Sequence, residues 1–259
     1  MSDSVRGRVL WYELLTTDVD AAEKFYTAVV GWTTMPFEGS PERYDMWVRE
    51  GGVPIGGVMP IPKGMNSPPH WGMYGGVPAL EDAVSQIERL GGSALSPLIE
   101  VPTVGRMRAM RDPQGVAFSV YQPASAPKEP ESEPVVGDVS WHELYTTDAE
   151  AALKFYGEIF GWRNTESMDM GDMGKYHMFA SSIALGGMMN KPPHMARVPA
   201  HWELYFRVPD VHAGAERIKA NGGQVLNGPM EVPGGDWITM VLDPQGGPFA
   251  VHEVKSAQP

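Results

Sequence analysis

An internal duplication restricts the fold of this chain more than any other feature. The stretch WYELLTTDVDAAEKFYTAVVGW runs from Trp11 to Trp32, and WHELYTTDAEAALKFYGEIFGW runs from Trp141 to Trp162, 130 residues later and without a gap. IGGVMP at 55–60 returns as LGGMMN at 185–190, HWGMYGGVPAL from His70 as HWELYFRVPDV from His201, and RDPQGVAFSVYQ as LDPQGGPFAVHE. One inserted residue moves the spacing to 131, where it settles. Chance similarity does not hold one register over such a length, so the chain is a duplicated domain. Between the copies, QPASAPKEPESEPVVG from Gln122 carries four prolines and alternating charges with no apolar periodicity, the composition of an extended linker. The expected layout is a first domain over 7–122, a Pro/Glu-rich linker over 123–137 and a second domain over 138–255.

Each copy again splits in two by pattern. RVLWYELLTT reads as a strand, followed by a helix whose Ala22, Phe25, Tyr26, Val29 and Val30 fall on one face. Thr147 with Glu150, and more weakly Thr17 with Asp20, suggest capping boxes at the two helix starts. GW breaks the helix, and short strands follow. HWGMYGGVP opens a second strand–helix pair, with Leu80, Ala83, Val84, Ile87 and Leu90 as the apolar stripe and Gly91-Gly92 as the stop. DPQG between the last two strands is turn chemistry. The unit is strand, helix, three strands, written twice per copy, which makes an α+β protein. Paired glycines inside a strand, in IGGV and LGGM, mark a bulge or a close approach to something. Trp32 and Trp162 read as core, His142 as structural, His212 as an exposed helical residue, and His177 and His194 as lying in or near loops. SMDMGDMGKYHM from Ser167 reads as a pliable lid or a hairpin loop.

Net charge is -12, which argues against a nucleic-acid partner or an anionic membrane surface. With no cysteine, disulfides, thiolate metal sites and Cys nucleophiles are excluded. The opening residues lack a secretory core and no apolar run suits a membrane span, so the expectation is a soluble cytoplasmic protein. It would be a monomer with intramolecular pseudo-twofold pairing, or a homodimer.

Paired βαβββ units, the TTD…A…FY…GW phrase and the closing DPQG resemble the vicinal oxygen chelate superfamily, which contains glyoxalase I, extradiol dioxygenases and bleomycin-resistance proteins. Within it, the two-domain actinobacterial type, including a mycobacterial antigen, is most similar. The resemblance implies strands curled into a cup, helices outside and a ligand inside. It also implies a divalent metal held by His and Glu at four stations. Those stations fall on Trp11 and Trp141, on Gly72 and Glu203, on Ser119 and Ala250, and near Gly57 and Gly187. Only Glu203 suits a metal, so no metal ligand and no cofactor are expected.

Strand alternation selects what faces the cup instead. Trp11 pairs with Glu13, Trp141 with Glu143, His201 with Glu203 and Ala250 with His252; His70 and Tyr121 are the counterparts in copy one. Two function classes follow. One is a small-molecule-binding protein that holds a small or aromatic ligand between Trp11, Trp141, His70, Glu203, Tyr121 and His252. The other is a glyoxalase-like lyase or isomerase acting on a small carbonyl compound, with Glu143 or Glu13 as base and His201 as helper. Copy two carries more polar side chains and is expected to be the working one.

Overall fold

The computed structural model describes residues 5–255. Copy one forms β1 (Val9–Thr16), α1 (Val19–Val30), β2 (Thr33–Pro36), β3 (Asp45–Arg49), β4 (Val53–Pro60), β5 (His70–Gly76), α2 (Leu80–Arg89), β6 (Ser93–Ala94), β7 (Ile99–Val101), β8 (Gly105–Arg111) and β9 (Ala117–Pro123). Copy two forms β10 (Val139–Thr146), α3 (Ala149–Phe160), β11 (Arg163–Asp169), β12 (Lys175–Ala180), β13 (Ala184–Asn190), β14 (His201–Arg207), α4 (Val211–Ala220), β15 (Gln224–Glu231), β16 (Trp237–Leu242) and β17 (Pro248–Glu253). Each copy makes one curled sheet. The strand order is β2-β3-β4-β1-β5-β9-β8-β6 in the first and β11-β12-β13-β10-β14-β17-β16-β15 in the second. The βαβββ unit is thus present four times. In copy one the second-half strand is broken into β6 and β7, where copy two has the continuous β15.

Helix starts differ from the expected capping boxes. The N-caps are Asp18 and Asp148, one residue after the threonines, and their carboxylates accept from the amides of Ala21 and Ala151. A carboxylate on the first-turn amides also opposes the positive end of the helix dipole. Gly31 and Gly161 close α1 and α3 in the left-handed conformation, which a side chain would resist. Leu90 belongs to the end of α2 rather than its buried stripe and is exposed. The segment from Ser167 is a β-hairpin, β11 into β12 through a short 3-10 turn, and His177 is a buried residue of β12 close to that turn.

Tight contacts divide the chain into two compact units that do not coincide with the two copies. One unit contains the described residues up to Trp11 with Gly72–Glu133 and His142–Trp202; the other contains Tyr12–Trp71, Pro134–Trp141 and the residues from Glu203 onward. Each unit therefore joins the first half of one copy to the second half of the other. In the second unit, Phe25, Tyr26 and Trp32 pack with Phe206, Phe249 and Val251 in one core. In the first, Phe118 meets Phe155, Tyr156 and Phe160 edge-on.

Buried polar groups repeat this crossing. Tyr26 donates to Asp243 at 3.0 Å and accepts from Trp71 Nε1 at 2.9 Å. Tyr156 donates to Asp112 at 3.1 Å and accepts from Trp202 Nε1 at 3.2 Å. Both aspartates begin a DPQG turn, and their other oxygen accepts from two amides of that turn. Trp32 donates to the carbonyl of Gly137, and Trp162 to that of Gly7, each glycine lying just before the other copy's first strand. The two tryptophans are core residues, as the sequence suggested.

Candidate functional site

Glu143 lies in the middle of β10, between His142 and Leu144. Leu144 is fully buried, and so is its register partner Met188 on β13. Alternation therefore sends Glu143 to the opposite face, together with its own partner Gly187. There the ring of Tyr176, from β12, lies over Gly187, so closely that a Cβ on that glycine would overlap it. The Tyr176 hydroxyl donates to Glu143 Oε2 at 3.2 Å. Gly186, one residue earlier, faces the other way, and a Cβ there would strike the backbone of His142. The paired glycines are thus explained twice over: one admits a neighbouring strand, the other a tyrosine ring. Copy one repeats the device. Glu13 is the register partner of Gly57, Tyr44 covers Gly57, and Gly56 lies against the Tyr12 carbonyl.

Tyr145 follows Glu143 on the same face, and its ring lies 5.5 Å from that of His201. His201 Nδ1 donates to the Pro199 carbonyl at 2.9 Å. A carbonyl cannot donate, so the proton sits on Nδ1 and Nε2 is the acceptor of the neutral ring. Burial lowers the His201 pKa, the Pro199 carbonyl opposes that, and Lys191 lowers it further. The imidazole is therefore a neutral base at pH 7. His70 is held the same way, by the Pro68 carbonyl at 2.8 Å, with Ser67 Oγ at 3.1 Å. A proline two residues before each histidine is the sequence signal of this arrangement.

The remaining candidates divide by role. Glu203 is buried on β14, with 3% of its surface exposed. Trp11 and Trp141 are half-buried. The Tyr121 hydroxyl donates to the Val104 carbonyl at 2.9 Å. His252 has a polar neighbour at each ring nitrogen, with Nδ1 2.8 Å from Ser140 Oγ and Nε2 3.2 Å from Asp236. Burial lowers its pKa against the pull of Asp236. His142 is structural: Nδ1 donates to the Leu185 carbonyl at 2.7 Å, and burial lowers its pKa to about 4. A cleft of about 400 Å³ opens beside the N-terminus of α3, between Thr147, Asp148, Glu150, Lys175, His177 and Asn190. Its amides are already used: Asp148 takes that of Ala151 and Asn190 that of Ala149.

A divalent metal of the kind the family resemblance implies does not fit these side chains. Among the described residues no three His, Asp or Glu groups converge on a common point. The station at Gly187 is filled by the Tyr176 ring. Neither tyrosine was singled out from sequence, although RYDMW and KYHMF repeat the residue in both copies.

The family model of the Glyoxalase/Bleomycin resistance protein/Dioxygenase superfamily matches residues 138–251. A Mycobacterium tuberculosis protein named "Putative glyoxylase CFP32" is 32% identical over 260 residues, covering 96% of both chains. The anthracycline biosynthesis protein DauV of Streptomyces sp. strain C5 is 28% identical, covering 98% of this chain and 95% of its own. The Mn(II)-bound glyoxalase of Novosphingobium aromaticivorans superposes with a TM-score of 0.68 at 15% identity, covering 96% of this chain and 83% of that one. The 2,3-dioxygenase LapB of Pseudomonas sp. KL28 gives 0.67 at 13%, covering 100% and 95%. The chain belongs to the glyoxalase/bleomycin resistance protein/dioxygenase superfamily.

Proposed function

We propose that this protein binds a small, planar, oxygen-bearing aromatic molecule without a divalent metal, against the Glu143 face of β10. The observation that carries the reading is the replacement of metal-ligand chemistry by ring faces around one buried carboxylate. Trp141 and Tyr145 flank Glu143 on its strand, and the His201 ring lies beside Tyr145. Flat aromatic walls favour a flat ligand, and a single strong acceptor orients it. The relative named for anthracycline biosynthesis supports the same ligand class, because anthracyclines are planar fused-ring compounds carrying hydroxyls and carbonyls.

Tryptophan fluorescence titration with a hydroxyanthraquinone, after exhaustive dialysis against a chelator, tests this. We expect saturable binding unaffected by chelation. Glu143→Gln keeps the volume and removes the charge; it should weaken binding at least tenfold, about 1.4 kcal/mol, with an unchanged circular dichroism spectrum. No binding by the wild-type protein, or binding only after Zn, Ni, Mn or Fe is added back, would sink the proposal.

The neutral, Nδ1-anchored His201 favours a second reading, in which Glu143 removes a proton from carbon beside a carbonyl and His201 Nε2 assists. Incubating a small ketone or aldehyde with the protein in D₂O separates the two. Deuterium gained next to the carbonyl, and lost with Glu143→Gln, selects the enzyme.

A further inference from the structure

We infer that the cleft beside the N-terminus of α3 is a second binding site, which takes a small carboxylate on the buried imidazole of His177. It stands apart from the Glu143 face. Tyr176 covers Gly187 on that face, so alternation turns the next residue of β12, His177, to the opposite side, where its register partner Met188 is fully buried.

The ring itself carries the inference. His177 is only 5% exposed, yet it lines a cleft of about 400 Å³. Its Nδ1 lies 2.8 Å from Ser167 Oγ, and among the described residues Nε2 has no hydrogen-bond partner. Nε2 is not one of the atoms sealed in the interior, so it opens on the cleft. A nearly buried polar atom of this kind gains when a ligand meets it. Its neighbours set the chemistry. Asn164 Nδ2 donates to Ser167 Oγ at 2.9 Å, which leaves the hydroxyl's own hydrogen for His177 Nδ1. The neutral ring then carries its proton on Nε2 and presents a donor to the cleft. Asn190 supplies a second donor: its Oδ1 accepts from the Ala149 amide at 2.8 Å, which orients the side chain and leaves Nδ2 for a ligand. Lys175 adds positive charge. The two carboxylates in the lining are already engaged. Asp148 accepts from the Ala151 amide at 3.0 Å, at the positive end of α3, and Glu150 lies 3.4 Å from Lys175 Nζ. Two donors and a cation suit a carboxylate, whose two oxygens accept side by side.

Copy one shows what this place lacks. Arg43 and Asp45 of copy one correspond to Lys175 and His177. There Arg43 Nε meets the Asp45 carboxylate at 2.7 Å, and the same guanidinium reaches Asp20 at 2.6 Å and Glu23 at 3.2 Å on α1. In copy two Asp45 becomes His177 and Glu23 becomes Leu153, so two of the three carboxylates around the cation are gone. A carboxylate from solution restores the missing charge, and the imidazole that stands in for Asp45 holds it.

The test follows the His177 ring by NMR in the full-length protein labelled with ¹⁵N-histidine, the resonance being assigned by its loss in His177→Phe. Sodium acetate is the probe; sodium chloride at equal ionic strength and ethylammonium chloride are the controls. We expect a saturable shift of the His177 signal with acetate and none with either control. Lys175→Met, a change at an exposed residue, should weaken acetate about two- to fivefold. Glu143→Gln should leave acetate binding unchanged, which separates this site from the one proposed above. No shift with acetate, as a purely structural His177 would give, overturns the inference. So does a shift with ethylammonium, a shift with every salt alike, or acetate binding that Glu143→Gln abolishes. If His177→Phe does not fold, Lys175→Met decides alone: a histidine signal whose acetate shift weakens in that variant supports the site, and unchanged affinity at every histidine overturns it.

Discussion

At the scale of single residues, two neighbouring glycines do different work, and the difference can be measured. A Cβ at Gly186 meets the His142 carbonyl and backbone nitrogen, which cannot move without breaking the β10–β13 pairing. The atoms nearest a Cβ at Gly187 belong to the end of the Tyr176 ring. Overpacking of this kind costs about 1–3 kcal/mol, and the cost depends on what can give way. Gly186→Ala should therefore lower the urea midpoint more than Gly187→Ala. Trimming Tyr176 to serine should rescue the second variant and leave the first unrelieved. Equal losses with no rescue would mean that the tyrosine does not lie over the glycine. The paired glycines were visible in the sequence as a close approach. What approached was not, because strand spacing gives no sign of which side chain on a neighbouring strand folds back over a glycine.

At the scale of elements, β10 carries opposite demands on its two faces. Its outward face buries His142, whose pKa falls from an ordinary 6.5 to about 4 because burial disfavours the charged ring. At roughly 1.4 kcal/mol per unit this amounts to about 3 kcal/mol. The native pKa lies below the unfolded one, so the unfolded chain binds the proton first. Stability is then fully present above about pH 6.5 and is lost as pH falls towards 4. His201 and His252, also lowered by burial, add in the same direction. Asp112 and Asp243 act oppositely, since burial raises them and their contribution is greatest at low pH. Urea unfolding at pH 7 and pH 4.5 should show a smaller acid loss, by about 2–3 kcal/mol, in His142→Asn than in the wild-type protein. Equal acid losses in the two proteins would show that the ring does not titrate as a buried group. The buried face of β10 was legible from alternation with Leu144, and so were α1 and α3 from their apolar spacing. The helix caps were less so, because Thr and Asp are adjacent in TTD and both are good N-caps; only geometry chooses Asp. The DPQG turns were legible as turns. Their aspartates' bonds to Tyr26 and Tyr156 were not, since each partner belongs to the other copy.

At the scale of the whole molecule, the crosswise assembly has a size code that explains why one chain carries both copies. In one unit Phe206 of β14 lies 4.9 Å from the Trp32 ring and stacks 5.3 Å from Phe249, and α1 ends in the small Val30. In the other unit the strand position matching Phe206 is Gly75, and the helix position matching Val30 is Phe160. Phe160 lies 4.8 Å from Trp162 and 6.0 Å from Phe118, and a Cβ on Gly75 would run into its ring. One aromatic slot is thus filled from the strand in one unit and from the helix in the other. Copy one pairing with itself would set Val30 against Gly75 and leave a hole, at a cost of about 3–5 kcal/mol for a missing phenyl group. Copy two pairing with itself would set Phe160 against Phe206, at about 1–3 kcal/mol or more for the clash. Each self-pair would contain the fault twice. If the chain is split inside the 123–137 linker and the halves are produced separately, neither should give a stable folded monomer, because each buried Tyr–Asp–Trp set draws on both halves. Mixed, they should form a one-to-one complex, read by native mass spectrometry and size exclusion, in preference to either homodimer. Phe160→Val in the second half should raise its self-pairing by removing the clash. A first half that folds alone as a monomer, or self-pairs as stably as the mixed complex, would show that the size code does not govern assembly.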